Sequence, residues 1–185
     1  MNSKKLAVIL PGTGYNKDKP LLYYSITMFT KKGYEICYVD YSNYFAGVNY
    51  RDPDQMNAVT GKAYDYAADI LDKVHFDEYD KIVFIGKSFG TLVGAKYASE
   101  RGLAVYQIWY TPVMETYEYA NGDIIAFMGD NDPMAEVGAA TEKAKENNIP
   151  LHIYPNANHS LATGDALTDI DTLRDVMRCV DEIKF

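Results

Sequence analysis

The chain has 185 residues, a formal net charge of −8, and 48% apolar against 24% charged residues. That length buries one sizeable core but is short for two, and the balance is that of a globular protein, so a single domain over residues 1–185 is expected. The acidic excess, with no Lys/Arg cluster to offset it locally, excludes nucleic acid as the expected partner.

The stretch MNSKKLAVILPG sets basic residues before an apolar run, the order of a secretory signal. The run is only about six residues long before Pro11 and Gly12, too short for a signal core or a membrane span. It reads as a first buried strand, and a cytoplasmic location without membrane association is the expectation. Cys37 and Cys179 have no metal-ligand spacing and read as small buried apolar residues.

Apolar runs at 6–10, 34–41, 81–85, 104–110, 123–128 and 150–154 are dense in Val, Ile, Tyr and Phe and lack strict alternation. Such runs suit strands covered on both faces. After the first run, Pro20 marks a helix start and Gly33 its end. Residues 55–75 place Val59, Ala63, Tyr66, Ala67, Ile70, Leu71 and Val74 at steps of three and four, the apolar stripe of a surface helix. Leu167, Ile170, Leu173, Met177 and Val180 repeat that pattern in a closing helix. Strands alternating with helices predict an α/β fold: a three-layer α/β/α sandwich around a mainly parallel sheet of about six strands. Only about a dozen residues join the runs at 104–110 and 123–128, close to the minimum for a parallel crossover. A helix there has a turn or two, or is missing.

The stretch KIVFIGKSFGTLVGAKYA, residues 81–98, admits three readings. A phosphate loop needs a Gly five positions before Gly86, but Lys81 stands there and a strand fills the interval, so nothing wraps a phosphate. A dinucleotide fingerprint in PGTGYNK, residues 11–17, fails because Lys17 occupies its third glycine position. The third reading is a nucleophile elbow, Gly-x-Ser-x-Gly, formed by Gly86, Lys87, Ser88, Phe89 and Gly90. Here both glycines have a reason, since small residues flanking the serine let strand and helix pack closely. The turn lifts the Ser88 hydroxyl above the carboxyl end of the sheet, with the positive end of the next helix behind it.

A serine nucleophile needs a base, and the base needs an orienting acid. Three histidines are available. His75 ends an exposed helix pattern, and His152 lies inside the strand LHIY. His159 follows the last strand in the polar loop PNANHSL, at the edge where the elbow opens, and is the candidate base. Asp130 and Asp132 both follow the preceding strand in FMGDNDP as candidate acids.

In these motifs and their order the chain resembles the α/β-hydrolase family: the elbow at Ser88, the loop Gly129-x-x-Asp132-Pro133, and the loop Asn156-x-Asn158-His159-Ser160. The resemblance covers essentially the whole chain. It implies a Ser88, Asp132, His159 triad hydrolysing an ester, thioester, amide or related bond through an acyl-enzyme, with no metal or organic cofactor. It also implies an oxyanion hole of two backbone N–H groups, from Phe89 and from Thr13 in LPGTGYN, with Gly14 as donor in the alternative register. In this resemblance the chain starts at the family's third strand and carries no lid insertion after residue 110.

The expected substrate is a small acyl ester or thioester, because a lidless cleft has little with which to grip a polymer. An aminopeptidase-like or carbon–carbon hydrolase, or a binding protein that retains the elbow, are the alternatives. Asp130 reads as a turn residue. Lys87 reads as a partly solvated neighbour of the elbow that can favour an anionic leaving group. Tyrosines in 41–50 and 109–120 are candidates for the wall of an acyl pocket.

Overall fold

The computed structural model describes residues 3–49 and 52–183. Six strands are present: β1 (Lys5–Leu10), β2 (Glu35–Tyr38), β3 (Lys81–Lys87), β4 (Tyr106–Tyr110), β5 (Ile124–Gly129) and β6 (Leu151–Tyr154). They pair in the order β2-β1-β3-β4-β5-β6, every pair parallel. Five α-helices alternate with them: α1 (Pro20–Lys31), α2 (Pro53–Leu71), α3 (Phe89–Arg101), α4 (Val137–Glu146) and α5 (Ala166–Asp181). The three-layer α/β architecture expected from the sequence is therefore observed.

Alternation along the strands divides the core. Ala7, Ile9, Val83, Ile85, Ile108 and Phe127 pack with α1 and α5 on one face. Leu6, Val8, Leu10 and Phe84 pack with α2 and α3 on the other, which Trp109, Ala126 and Met128 continue to α4. The inner strands are buried on both faces, as their unbroken apolar runs require. The edge strands β2 and β6 are short and only half covered, with Ile153 exposed.

Local signals set the helix ends. Pro20 opens α1, and Gly33 lies beyond its end at φ 82°. The Asp52 side chain accepts hydrogen bonds from the N–H groups of Asp54 and Gln55 and caps α2. The 55–75 stripe ends earlier than its spacing implies, at Leu71, and His75 lies outside the helix. In α5 the first stripe positions, Leu167 and Ile170, remain 75% and 59% exposed, while Val176 and Val180 are buried. The amino end of α5 flanks an open depression lined by Tyr15, Pro20, Leu21, Leu161, Ile170 and Leu173, so those two residues meet solvent. The short crossover after β4 holds a 3-10 helix, Met114–Tyr119, tied to α3 by a 2.8 Å hydrogen bond between the Thr91 and Thr116 hydroxyls. Cys37 and Cys179 are free and half-buried against the core, less covered than their apolar reading implied.

From β1 the chain crosses one way to β2 and then returns past β1 to β3, so the carboxyl ends of β1 and β3 form a topological switch point, where open parallel sheets form their crevice. There α3 lies against β1: a Cβ on Gly90 would fall 2.0 Å from the Leu10 carbonyl oxygen. Gly90→Ala should therefore lower stability by about 2–3 kcal/mol through overpacking. Gly61→Ala, exposed in α2 with nothing within 4 Å of its added Cβ, should raise it by about 0.5–1 kcal/mol. Denaturant midpoints of the two variants measure both effects.

Candidate active site

Ser88 stands between β3 and α3 at φ 52°, ψ −121°, a conformation that costs an L-residue on the order of 1–3 kcal/mol and persists only where the surroundings impose it. They do. A Cβ on Gly86 would fall 2.7 Å from the backbone of Thr91, and the Ser88 N–H donates to the Tyr110 carbonyl at 2.9 Å. The Ser88 carbonyl accepts from both the N–H and the hydroxyl of Thr91, at 2.8 and 2.7 Å. The serine is left 9% exposed at the amino end of α3.

His159 reaches the serine from the loop after β6. Its Nε2 lies 2.8 Å from Ser88 Oγ, and its Nδ1 lies 2.7 Å from Asp132 Oδ2. The Asp132 side chain is fully buried, and its Oδ1 accepts from the Met134 N–H at 2.8 Å. The Thr111 hydroxyl donates to the His159 carbonyl at 3.1 Å. Asn158 shapes the loop, its Oδ1 accepting from the N–H groups of Ser160 and Ala162 at 2.7 and 3.3 Å.

The two loops that bring His159 and Asp132 are themselves in contact. The Asn131 N–H donates to the Ala157 carbonyl at 3.0 Å, and a Cβ on Gly129 would lie 1.9 Å from that oxygen. Asp130 Oδ1 accepts from the Asn156 N–H at 2.5 Å, so Asp130 ties the loops together while Asp132 meets the histidine. His152 sits half-buried in β6, stacked on Phe127 at 5.1 Å and 22°.

A cleft of about 360 Å³ opens over the serine, lined by Gly12, Thr13, Gly14, Tyr15, Lys87, Met134, Ser160 and the residues of the serine–histidine pair. Gly12 and Tyr15 close a turn on one another through their backbones, at 3.0 and 3.5 Å. Among the described residues, the N–H groups of Thr13, Gly14 and Phe89 have no acceptor. Thr13 and Gly14 line the cleft with Ser88, and Phe89 follows Ser88 directly in the chain. Among the same residues, no group of three or more His, Cys, Asp or Glu side chains is arranged to hold a metal ion. None of their helices is long and apolar enough to cross a membrane.

Two expectations need correction. Tyr41, Tyr110 and Tyr117 do not wall the cleft: they are core residues, with the Tyr41 hydroxyl on the Pro11 carbonyl and that of Tyr110 on Ser25. Tyr44 is exposed and packs at a tilt against Tyr66, and Tyr50 lies outside the described residues. The aromatic wall is Tyr15, which nothing in its local sequence distinguishes from the other tyrosines. Burial pushes its phenol up to about 12, so it is neutral. Lys87 is not partly solvated either. It is 1% exposed, and burial pulls its amine down to about 7 against the opposing charge of Asp132. Met134 and Ser160, also on the cleft wall, follow Asp132 and His159 too closely to be placed without the folded loops.

No protein-family model matches the sequence, and the search of curated proteins found no match. Solved structures are similar in fold. An α/β serine hydrolase homologue of Coxiella burnetii superposes with a TM-score of 0.67 at 15% identity, over 97% of this chain and 86% of that one. The Pyrococcus furiosus esterase Pf2001 gives 0.63 at 15% identity, over 96% of this chain and 81% of its own. A lidless serine hydrolase of Xanthomonas campestris gives 0.59 at 16% identity, over 100% of this chain and 86% of its own. With a six-stranded parallel sheet, flanking helices and this likeness to solved structures, the chain has the α/β-hydrolase fold.

Proposed function

We propose that the chain is a serine hydrolase that cleaves an ester or thioester of a small acyl substrate. What supports this reading is the unbroken relay from Ser88 Oγ to His159 Nε2 at 2.8 Å and from His159 Nδ1 to Asp132 Oδ2 at 2.7 Å. The naming of similar folds as serine hydrolases and an esterase adds to it.

In this mechanism His159 Nε2 accepts the Ser88 proton as Oγ attacks the carbonyl carbon. Asp132 holds the tautomer with Nδ1 protonated and stabilises the imidazolium that forms; its burial keeps water from competing for that bond. The N–H groups of Phe89 and Thr13 receive the oxyanion, aided by the amino end of α3. His159 then gives its proton to the leaving oxygen or sulfur. Water, deprotonated by the same imidazole, attacks the acyl-enzyme, and collapse of the second tetrahedral intermediate returns the proton to Ser88 and frees the acid.

Two measurements test the reading. The purified protein should hydrolyse an activated short-chain ester and lose that activity as a neutral phosphonylating reagent labels Ser88. Labelling elsewhere, or none of a folded sample, favours the binding-protein alternative. Asp132→Asn should lower kcat on the order of a thousandfold or more while the protein stays folded, since the amide stabilises the wrong tautomer. Asp130→Asn should instead mainly lower Tm, by a few degrees for the loss of about 1 kcal/mol from the contact with Asn156. A large catalytic loss at Asp130 rather than Asp132 would reverse the assignment.

A further inference from the structure

The relay leaves Lys87 without a task, yet the residue lies beside it. Lys87 closes β3 on the face covered by α1 and α5, with Tyr110 of β4 as its cross-strand neighbour. At 1% exposure its ammonium is largely withdrawn from water, a state that normally demands an acceptor or counter-charge. Among the described residues it has no hydrogen bond and no ion pair. Its Nζ lies 5.1 Å from the centre of the Tyr15 ring, whose π face attracts a cation without neutralising it.

The groups around the amine explain why the charge stays open. Tyr15 and Tyr110 are neutral phenols, each already hydrogen-bonded, to the Leu21 N–H and to Ser25. Asp132 is the carboxylate whose charge acts on Lys87, but its oxygens are engaged by His159 and by the Met134 N–H. Lys87 and Tyr15 line the same cleft as Ser88 and His159, and among the described lining residues Lys87 is the one lysine or arginine. The side of the amine that these groups leave open faces the cleft.

We propose that Lys87 is the anion subsite of this cleft and that the preferred substrates are esters or thioesters whose acyl chain carries a carboxylate. The inference rests on the serine-hydrolase reading and names its substrate class. A carboxylate suits the site better than a phosphate, because one ammonium balances one negative charge and the acidic protein supplies no second cation to this cleft. The depression beyond Tyr15, about 400 Å³ with Leu21, Leu161, Ile170 and Leu173 on its walls, adjoins the cleft through Gly14, Tyr15 and Ser160 and offers room for the apolar remainder.

The test compares 4-nitrophenyl hydrogen adipate with 4-nitrophenyl hexanoate, equal in chain length and differing in the terminal carboxylate, as the ratio of kcat/KM after subtraction of background hydrolysis. Below pH 7 the ratio should favour the carboxylate ester on the order of tenfold or more, the size of a charge-assisted contact. It should fall as pH rises through about 7, where the Lys87 amine loses its proton. Any pH dependence of the acyl-transfer steps common to both esters cancels in the ratio. Lys87→Met should bring the ratio to one or below. It should also raise Tm, more at pH 6 than at pH 10: the amine, brought down to about 7 from 10.5, burdens the fold fully below 7 and progressively less as pH climbs to 10.5.

A ratio near one in the unaltered protein, a preference that ignores pH between 6 and 9, or one that survives Lys87→Met overturns the subsite. The first two readings need no variant. Turnover of both esters without discrimination removes the subsite alone, whereas no turnover of either together with an unlabelled Ser88 removes the hydrolase reading and the subsite with it.

Discussion

The amino end of α3 lies so close to the carboxyl end of β1 that position 90 has no room for a side chain, and the arrangement of the site follows from that approach. With α3 pressed on Leu10 and Pro11, the chain turns from β3 into the helix within one residue, and Ser88 takes a left-handed φ that a serine does not choose by itself. The strain is held by groups on three elements: Thr91 of α3, the Tyr110 carbonyl of β4, and the loop after β1 that meets the elbow at Gly12. The same contact sets the amino end of α3, which begins at Phe89, at the switch point of the sheet.

His159 and Asp132 are brought together by a second close approach, between the loops after β5 and β6. Gly129 and the Ala157 carbonyl touch, and Asp130 clasps the Asn156 N–H. Two aspartates separated by a single residue thereby take different work. Asp130 stays at the surface and joins the loops, while Asp132, before Pro133, turns inward to a fully buried carboxylate. Its burial is tolerable because both oxygens accept hydrogen bonds.

Strain at Ser88 and an uncompensated amine at Lys87 occupy consecutive positions. Each is unfavourable to folding, and each is sustained by a sheet whose inner strands are buried on both faces by apolar side chains. Neighbouring departures from good packing chemistry at the mouth of the switch point are what a site under functional demand looks like.

Much of this was legible in the chain. Six apolar runs separated by helix periodicity determined the layered architecture, since strands buried on both faces and amphipathic helices leave one way to cover a sheet. Gly-x-Ser-x-Gly between a strand and a helix, and one histidine in a polar loop, singled out Ser88 and His159, because those motifs act locally. Other features were set only by the tertiary structure. Leu167 and Ile170 share the stripe of Val180, yet they meet solvent because nothing among the described residues covers the amino end of α5. Tyr15 walls the cleft while Tyr41, Tyr110 and Tyr117 fill the core, a division that depends on which loop each backbone enters. Lys87 is buried because strand alternation turns it beneath loops that come from β1, β5 and β6. Burial is a sum over distant neighbours, and a charged residue next to a serine carries no mark of it in the sequence.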